Sequence, residues 1–285
     1  MGIQSLLEYV EAECGDACKA VDLLKIGRGI LTRRRPTSRS PGHLRLIVDA
    51  EGCLDRLYGG YYSDWACGGQ WNRMLNFLNT LIRACHSVNL ELLVFFNGAL
   101  ESERLDEWFQ QQIEEKRKIN QVLKHINNKA TPPPKVWWIA PVCLRTALRV
   151  ALRHLGVGVA CSMDDHRQEV IAYCREDGFH GLLANDAVFA IFDPPRYFSS
   201  THMKLTYKGA LETKEFVLDE VAQKIDLDPK RFCLLGALLG NFQSYLVALA
   251  DTGLMMIHWV AILIVIAGVW PERAYEGVSR VRKRY

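Results

Sequence analysis

Four apolar runs in this chain end at residues that could meet a metal ion. Leu44–Asp49 closes on a carboxylate, Leu90–Phe96 leads into Asn97 and Gly98, Gly181–Ala184 leads into Asn185 and Asp186, and Leu-Leu-Gly-Asn-Phe occupies 238–242. Carboxylates gathered at the ends of buried strands can hold two hard divalent cations close together, the arrangement that metal-assisted phosphodiester cleavage needs. Between the second and third runs lies Asp164-Asp165-His166-Arg167, directly before a helical pattern. The set is thin in acid, however. Asn97 can ligate a hard cation but brings no charge, and Phe242, which closes the last run, can do neither.

The rest of the chain must supply the elements that position these residues. Residues 3–13 put Ile3, Leu6, Leu7 and Val10 on one stripe and predict an amphipathic helix. The stretch 27–43 is rich in Gly, Ser, Pro and Arg, has no period, and predicts a loop. Strands are expected at 44–49, 90–96, 136–139, 157–160, 181–184 and 188–192. Helices are expected at 71–85, 101–127, 142–155, 164–176, 215–225 and 230–239, the last started by the Asp-Pro pair at 228–229. Strands alternating with helices predict an α/β fold, a mostly parallel sheet with helices on both faces in three layers. Sites in such sheets gather at the carboxyl ends of strands, where Asp49, Asn97 and Asp186 all fall.

Composition sets wider bounds. The 285 residues are 49% apolar, enough for the core of one large domain or two small ones. A net charge of +3 excludes a polycation of the kind that coats nucleic acid. Basic residues nevertheless cluster, with Arg28, Arg33, Arg34, Arg35 and Arg39 in one stretch and Arg280, Arg282, Lys283 and Arg284 at the end. The 9 cysteines form no C-x-x-C pair and no zinc set, so reduced thiols in the nucleus or cytoplasm are expected. The first residues lack the basic start of a signal peptide. Residues 253–270 are apolar except for His258 and read either as a transmembrane helix or as a buried terminal helix. We therefore read 1–242 as one domain and 243–285 as an atypical apolar helical tail with a basic end.

Several uncommon strings, occurring in order, carry a resemblance. Met-Gly-Ile-Gln-Ser-Leu at the start, Ile-Val-Asp-Ala (47–50), Val-Phe-Phe-Asn-Gly (94–98), Asp165 to Tyr173, Leu-Leu-Ala-Asn-Asp (182–186) and Leu-Leu-Gly-Asn (238–241) resemble the flap-endonuclease/XPG superfamily of PIN-like nucleases. Leu-Tyr-Gly-Gly-Tyr-Tyr-Ser-Asp-Trp (57–65), Gly-Gly-Gln-Trp-Asn (68–72), Thr-Pro-Pro-Pro-Lys-Val-Trp (131–137) and His-Arg-Gln-Glu-Val-Ile (166–171) look like one branch of it. That branch is the constitutive coactivator of PPAR-gamma-like family, relatives of the Asteroid-type proteins.

Position by position, the resemblance implies that active members carry an Asp where Asp49 stands and Asp-Gly where Asn97-Gly98 stand. It implies two Glu, spaced i, i+2, where either Asp165 and Arg167 or Asp164 and His166 stand. An Asp-x-Asp pair is implied at Asp186 and Val188, and a last acid at Phe242. The implied protein is a nuclease fold without catalysis or cofactor. A residual single Mg²⁺ site at Asp49, Asp165 and Asp186 is the competing reading, with Glu169 as a weaker candidate ligand.

Relatives in this branch act as coactivators, RNA-binding proteins and scaffolds, so RNA or protein partners are expected and a small-molecule substrate is not. The residues offered to nucleic acid are Arg33, Arg34, Arg35 and Arg39, and Lys116, Arg117 and Lys118 in the long helix. Each set also reads as a solvated surface. The aromatic run 58–71 either stacks unpaired bases or packs as a loop core. A weak Mg²⁺-dependent nuclease and a protein anchored in a membrane through 253–270 are the alternative functions.

Overall fold

The computed structural model describes residues 6–32, 43–60, 63–98, 105–192, 194–224 and Asp226. The expectations placed on Arg33, Arg34, Arg35, Arg39, Phe242, the helix at 230–239 and the apolar stretch 253–270 lie outside the described residues. The chain divides into two compact units, one of Cys18–Val217 and one of the residues before Cys18 with those from Leu218 on. The smaller unit holds helix α1 (Leu6–Glu13) and helix α9 (Leu218–Lys224), with an ion pair from Lys224 to Asp16 at 3.2 Å.

The larger unit is built on β1 (Cys18–Asp22), β2 (Leu44–Asp49), β3 (Leu90–Phe96), β4 (Gly158–Cys161), β5 (Gly181–Ala184), β6 (Tyr197–Ser199), β7 (Lys204–Leu205) and β8 (Leu211–Phe216). Its helices are α2 (Leu23–Thr32), α3 (Leu54–Leu57), α4 (Trp71–His86), α5 (Leu105–Lys129), α6 (Leu144–His154), α7 (His166–Glu176) and α8 (Ala187–Ile191). The strands form one sheet in the order β1-β8-β6-β5-β2-β3-β4, with β7 also on β8. The run from β6 to β4 is parallel, and β8 is antiparallel to β6, β1 and β7. The expected mostly parallel sheet is present, closed at one end by an antiparallel edge.

Side-chain alternation assigns the two faces. Leu44, Leu46, Val48, Val94 and Phe96 join α2, α3, α4 and α6 in one apolar cluster through Leu23, Leu57, Leu78 and Leu148. Ile47, Asp49 and Phe95 point the other way, where His166 and Tyr173 of α7 set their rings edge-on against Phe95. Helices thus cover both faces, as the apolar runs of β2 and β5 require.

Four expectations are corrected. Residues 136–139 are not a strand: a 3-10 turn spans Lys135–Trp137, directly after prolines that cannot donate to a ladder. Residues 188–192 do not form a strand either. The Asp186 carboxylate accepts the Val188 N–H at 2.9 Å and caps α8 instead. The predicted helix at 215–225 is split, because Leu211, Thr213 and Phe216 are buried along β8 and α9 begins only at Leu218. The loop at 27–43 begins as helix, since α2 runs to Thr32 from a cap in which Asp22 accepts the Leu24 N–H at 3.0 Å. Gly27, the first residue of that expected loop, lets α2 lie against Val88, whose Cγ2 would stand 3.1 Å from an added Cβ.

Candidate functional site

Asp49 ends β2 on the α7 side of the sheet and is 3% exposed. Its Oδ1 accepts the Glu51 N–H at 3.2 Å and its Oδ2 the Gly52 N–H at 3.0 Å. The third partner is His166, whose Nε2 lies 3.0 Å from Oδ1. An ionised carboxylate only accepts, so Nε2 carries the proton. His166 is the first residue of α7, wedged between the rings of Phe95 and Phe189 at 5.9 and 6.4 Å. Its Nδ1 is buried without a hydrogen-bond partner. A buried carboxylate survives in such a place only with this many donors around it.

Asp186 follows β5 and is held from three sides. Arg167 Nε reaches Oδ2 at 2.7 Å, the Val188 N–H reaches Oδ1, and the Tyr197 hydroxyl donates to the Asp186 carbonyl at 3.2 Å. Burial first, then the charges of Asp186 and Asp49, holds the Tyr197 phenol well above its ordinary range, so it stays a neutral donor. Asp165 caps α7, its Oδ1 accepting the N–H groups of Arg167 at 2.8 Å and Gln168 at 3.1 Å. Glu169 folds back onto the Met163 N–H at 2.8 Å and the Asp164 N–H at 2.5 Å. Asp164 itself is exposed. Asn97 meets the Ser162 hydroxyl at 3.3 Å, and the same hydroxyl accepts the Gly98 N–H at 3.1 Å.

Both registers of the acid pair at the start of α7 therefore end on protein carboxylates, His166 on Asp49 and Arg167 on Asp186. The surviving acids do not fit a pair of Mg²⁺ ions. Ligation through Asp49 and Asp186 would have to displace an imidazole N–H and a guanidinium, while Asn97 and Ser162 bring no charge to offset dehydration. Among the described residues, no group of three or more His, Cys, Asp or Glu converges as a metal set. Cys53, just below Asp49, offers no nucleophile at neutral pH, because burial and then the Asp49 charge push its thiol far up. Lys116, Arg117 and Lys118 sit on exposed α5, where Arg117 pairs with Glu114 at 3.5 Å.

Two participants escaped the sequence reading. Ser162 and Tyr197 left no signal, since a lone Ser or Tyr after an apolar run has many uses. His166 was placed in the second register, but as the replacement of an acid and not as a donor to Asp49.

The topology is that of an α/β domain on a mostly parallel sheet with an antiparallel edge, with Asp49 and Asp186 at the carboxyl ends of neighbouring strands. No protein-family model matches the chain. The chain is 48% identical over 263 residues to the constitutive coactivator of PPAR-gamma-like protein 1 homolog of Xenopus tropicalis, covering 91% of this chain and 24% of that protein. It is 43% identical over 219 residues to the Homo sapiens constitutive coactivator of PPAR-gamma-like protein 2, covering 75% of this chain and 20% of that one. The resemblance to the constitutive coactivator of PPAR-gamma-like family is thus shown along the chain, which spans about a quarter or less of the length of these relatives. Among solved structures it is similar to human GEN1 in complex with Holliday junction DNA, at 13% identity and a TM-score of 0.49, covering 83% of this chain and 50% of that one.

Proposed function

We propose that this chain is a non-catalytic PIN/XPG-like domain that serves as a scaffold for macromolecular partners. The observation that carries the reading is the double pairing of Asp49 with His166 and Asp186 with Arg167. Metal-assisted hydrolysis needs ions that both activate water and stabilise the departing oxygen. The imidazole N–H and the guanidinium satisfy these carboxylates as hydrogen-bond donors and supply none of that chemistry. The same pairs leave the sheet and α7 fully tied together, so the fold is retained without metals.

The name of the relatives, constitutive coactivator, supports protein partners. RNA is the second class of partner, supported by exposed Lys116, Arg117 and Lys118, which could neutralise phosphates. The cysteines among the described residues are free thiols, which supports a reducing nuclear or cytoplasmic setting.

The test is cleavage of labelled flap and hairpin substrates, DNA and RNA, in Mg²⁺ and in Mn²⁺. Wild type is expected to match the background of Asp49→Ala, and calorimetric titration with Mn²⁺ is expected to show no saturable heat. Cleavage that disappears in Asp49→Ala would overturn the reading.

A further inference from the structure

One long stretch of the chain carries no acid at all. From Lys116 to Met163, 48 residues hold nine Lys and Arg and no Asp or Glu, in a chain whose net charge is only +3. Helix α6 lies inside that stretch. It turns Leu144, Leu148, Ala151 and Leu152 into the core, so its opposite face looks outward. Arg145, Arg149 and Arg153 stand there at i, i+4 and i+8, one row with about 6 Å of rise between steps. Val142, in the turn before the helix, forms the adjoining row with Thr146 and Val150, because residues three and four apart are neighbours on a helix. Val142 is 94% exposed and Val150 65%. The face is thus half basic and half apolar.

Little of this charge is answered within the protein. Arg145 pairs with Glu51 Oε2 at 2.9 Å. No acid holds Arg149. Its Nη1 lies 3.8 Å from the Cys161 sulfur, its Nη2 3.4 Å from the Thr146 hydroxyl, and its guanidinium carbon 5.7 Å above the Phe96 ring. Among the described residues neither Arg149 nor Arg153 has an acidic partner. Helix α4, packed beside α6, contains no acid either. A guanidinium already held in place loses little freedom when an anion arrives. A nucleic-acid backbone would answer the arginines alone. It has no use for exposed valines, and α6 offers no ring besides His154 on which a base could stack. A protein segment with carboxylates in one helical row and aliphatic side chains in the next answers both rows at once.

We propose that the outward face of α6 is a docking surface for an acidic amphipathic segment of a protein partner. The inference rests on the scaffold reading and gives its protein partner a chemistry. Fluorescence anisotropy on the full chain tests it, with a labelled peptide that carries glutamate in one helical row and leucine in the next. A scrambled peptide of the same composition is the control. Saturable binding that weakens with added salt is expected, and the scrambled peptide should bind much less. Arg153→Glu and Val150→Asp, both at exposed positions, should each weaken binding by about fivefold or more with unchanged circular dichroism. No binding, equal binding of the two peptides, or indifference to either variant would overturn the proposal. So would tight binding of oligouridylate that Arg153→Glu abolishes and Val150→Asp spares, which would make the face a nucleic-acid site. Self-association of the wild type that both variants abolish would place a second copy there and overturn it as well. The cleavage and Mn²⁺ measurements judge the scaffold reading separately, since they do not involve α6.

Discussion

His166 sets Nε2 3.0 Å from Oδ1 of Asp49, with the two side chains 8% and 4% exposed. The bond joins the first residue of α7 to the last of β2, so it fastens a helix layer to the centre of the sheet. His166→Leu removes the donor and leaves a buried carboxylate with backbone amides alone. Breaking a buried pair from one side costs about 3–5 kcal/mol, and the amides that remain should hold the loss near the lower end. Asp49→Asn keeps an acceptor for His166 but turns an amide NH2 toward the Gly52 N–H that Oδ2 accepted, and should cost about 1–2 kcal/mol. Urea unfolding measures both, and the opposite ranking would show that the pairing is not what holds Asp49 in place.

Arg167 stands in the same relation to Asp186, and its removal can be made informative. Arg167→Glu deletes the guanidinium and adds a carboxylate beside Asp186 at the start of α7. Without metal the variant should be less stable than wild type, since Asp186 loses its cation and gains a like charge. Mn²⁺ should then raise its Tm, because a ligand that binds only the folded state at a hundredfold its Kd stabilises by about 2.7 kcal/mol. Wild type should show no Mn²⁺-dependent shift. An equal shift in both proteins would mean that the guanidinium is not what closes the site.

The parallel core was legible because β2, β3 and β5 are apolar runs with no competing pattern, and α4, α6 and α7 keep a helical period. The antiparallel edge was not. Edge strand β1 (Cys-Lys-Ala-Val-Asp) and its inner neighbour β8 (Leu-Glu-Thr-Lys-Glu-Phe) are interrupted by charged residues, and β8 reads by composition as helix. The site was legible in its positions and obscure in its pairings. Consecutive residues at a helix start point about 100° apart, so one residue of register decides which face a side chain meets. At α7 both registers found an acid, because His166 and Arg167 turn toward different strands. Asp186 shows a second limit: spacing cannot tell a metal ligand from a helix cap, and the carboxylate that caps α8 looks the same in either role.

Gly52 is fixed by the Asp49 carboxylate. A Cβ there would stand 2.8 Å from Asp49 Oδ2 and 2.9 Å from the Asn185 nitrogen, so one of the two must move. Gly52→Ala should therefore destabilise by about 1–3 kcal/mol, as overpacking does. Gly29, inside α2 with nothing within 4 Å of an added Cβ, is the control. Gly29→Ala should stabilise by about 0.5–1 kcal/mol through helix propensity. Thermal or urea unfolding reads both, and a neutral Gly52→Ala would mean that the Asp49 loop gives way more easily than its hydrogen bonds suggest.

The buried thiols predict an alkaline limit. Burial pushes Cys85 up to about 12 and Cys174 up to about 11 from an ordinary value of 9.0. Above pH 9 the unfolded chain releases these protons while the folded chain keeps them, so the unfolded state binds fewer protons and stability falls as pH rises. The loss begins near the unfolded value and continues toward the folded ones, at up to about 1.4 kcal/mol per pH unit for each thiol. Urea unfolding at pH 8, 9 and 10 should show the decline, and Cys85→Ala with Cys174→Ala should make it shallower, leaving the part due to Cys53, while lowering stability at pH 8 through the lost packing. Exposed Cys67, Cys143 and Cys161 should meanwhile take up iodoacetamide at pH 8 well before either buried thiol. Parallel curves for wild type and the double variant would place the alkaline loss elsewhere. Tyr58 and Tyr197, whose phenols burial also raises, would then be the next groups to replace by phenylalanine.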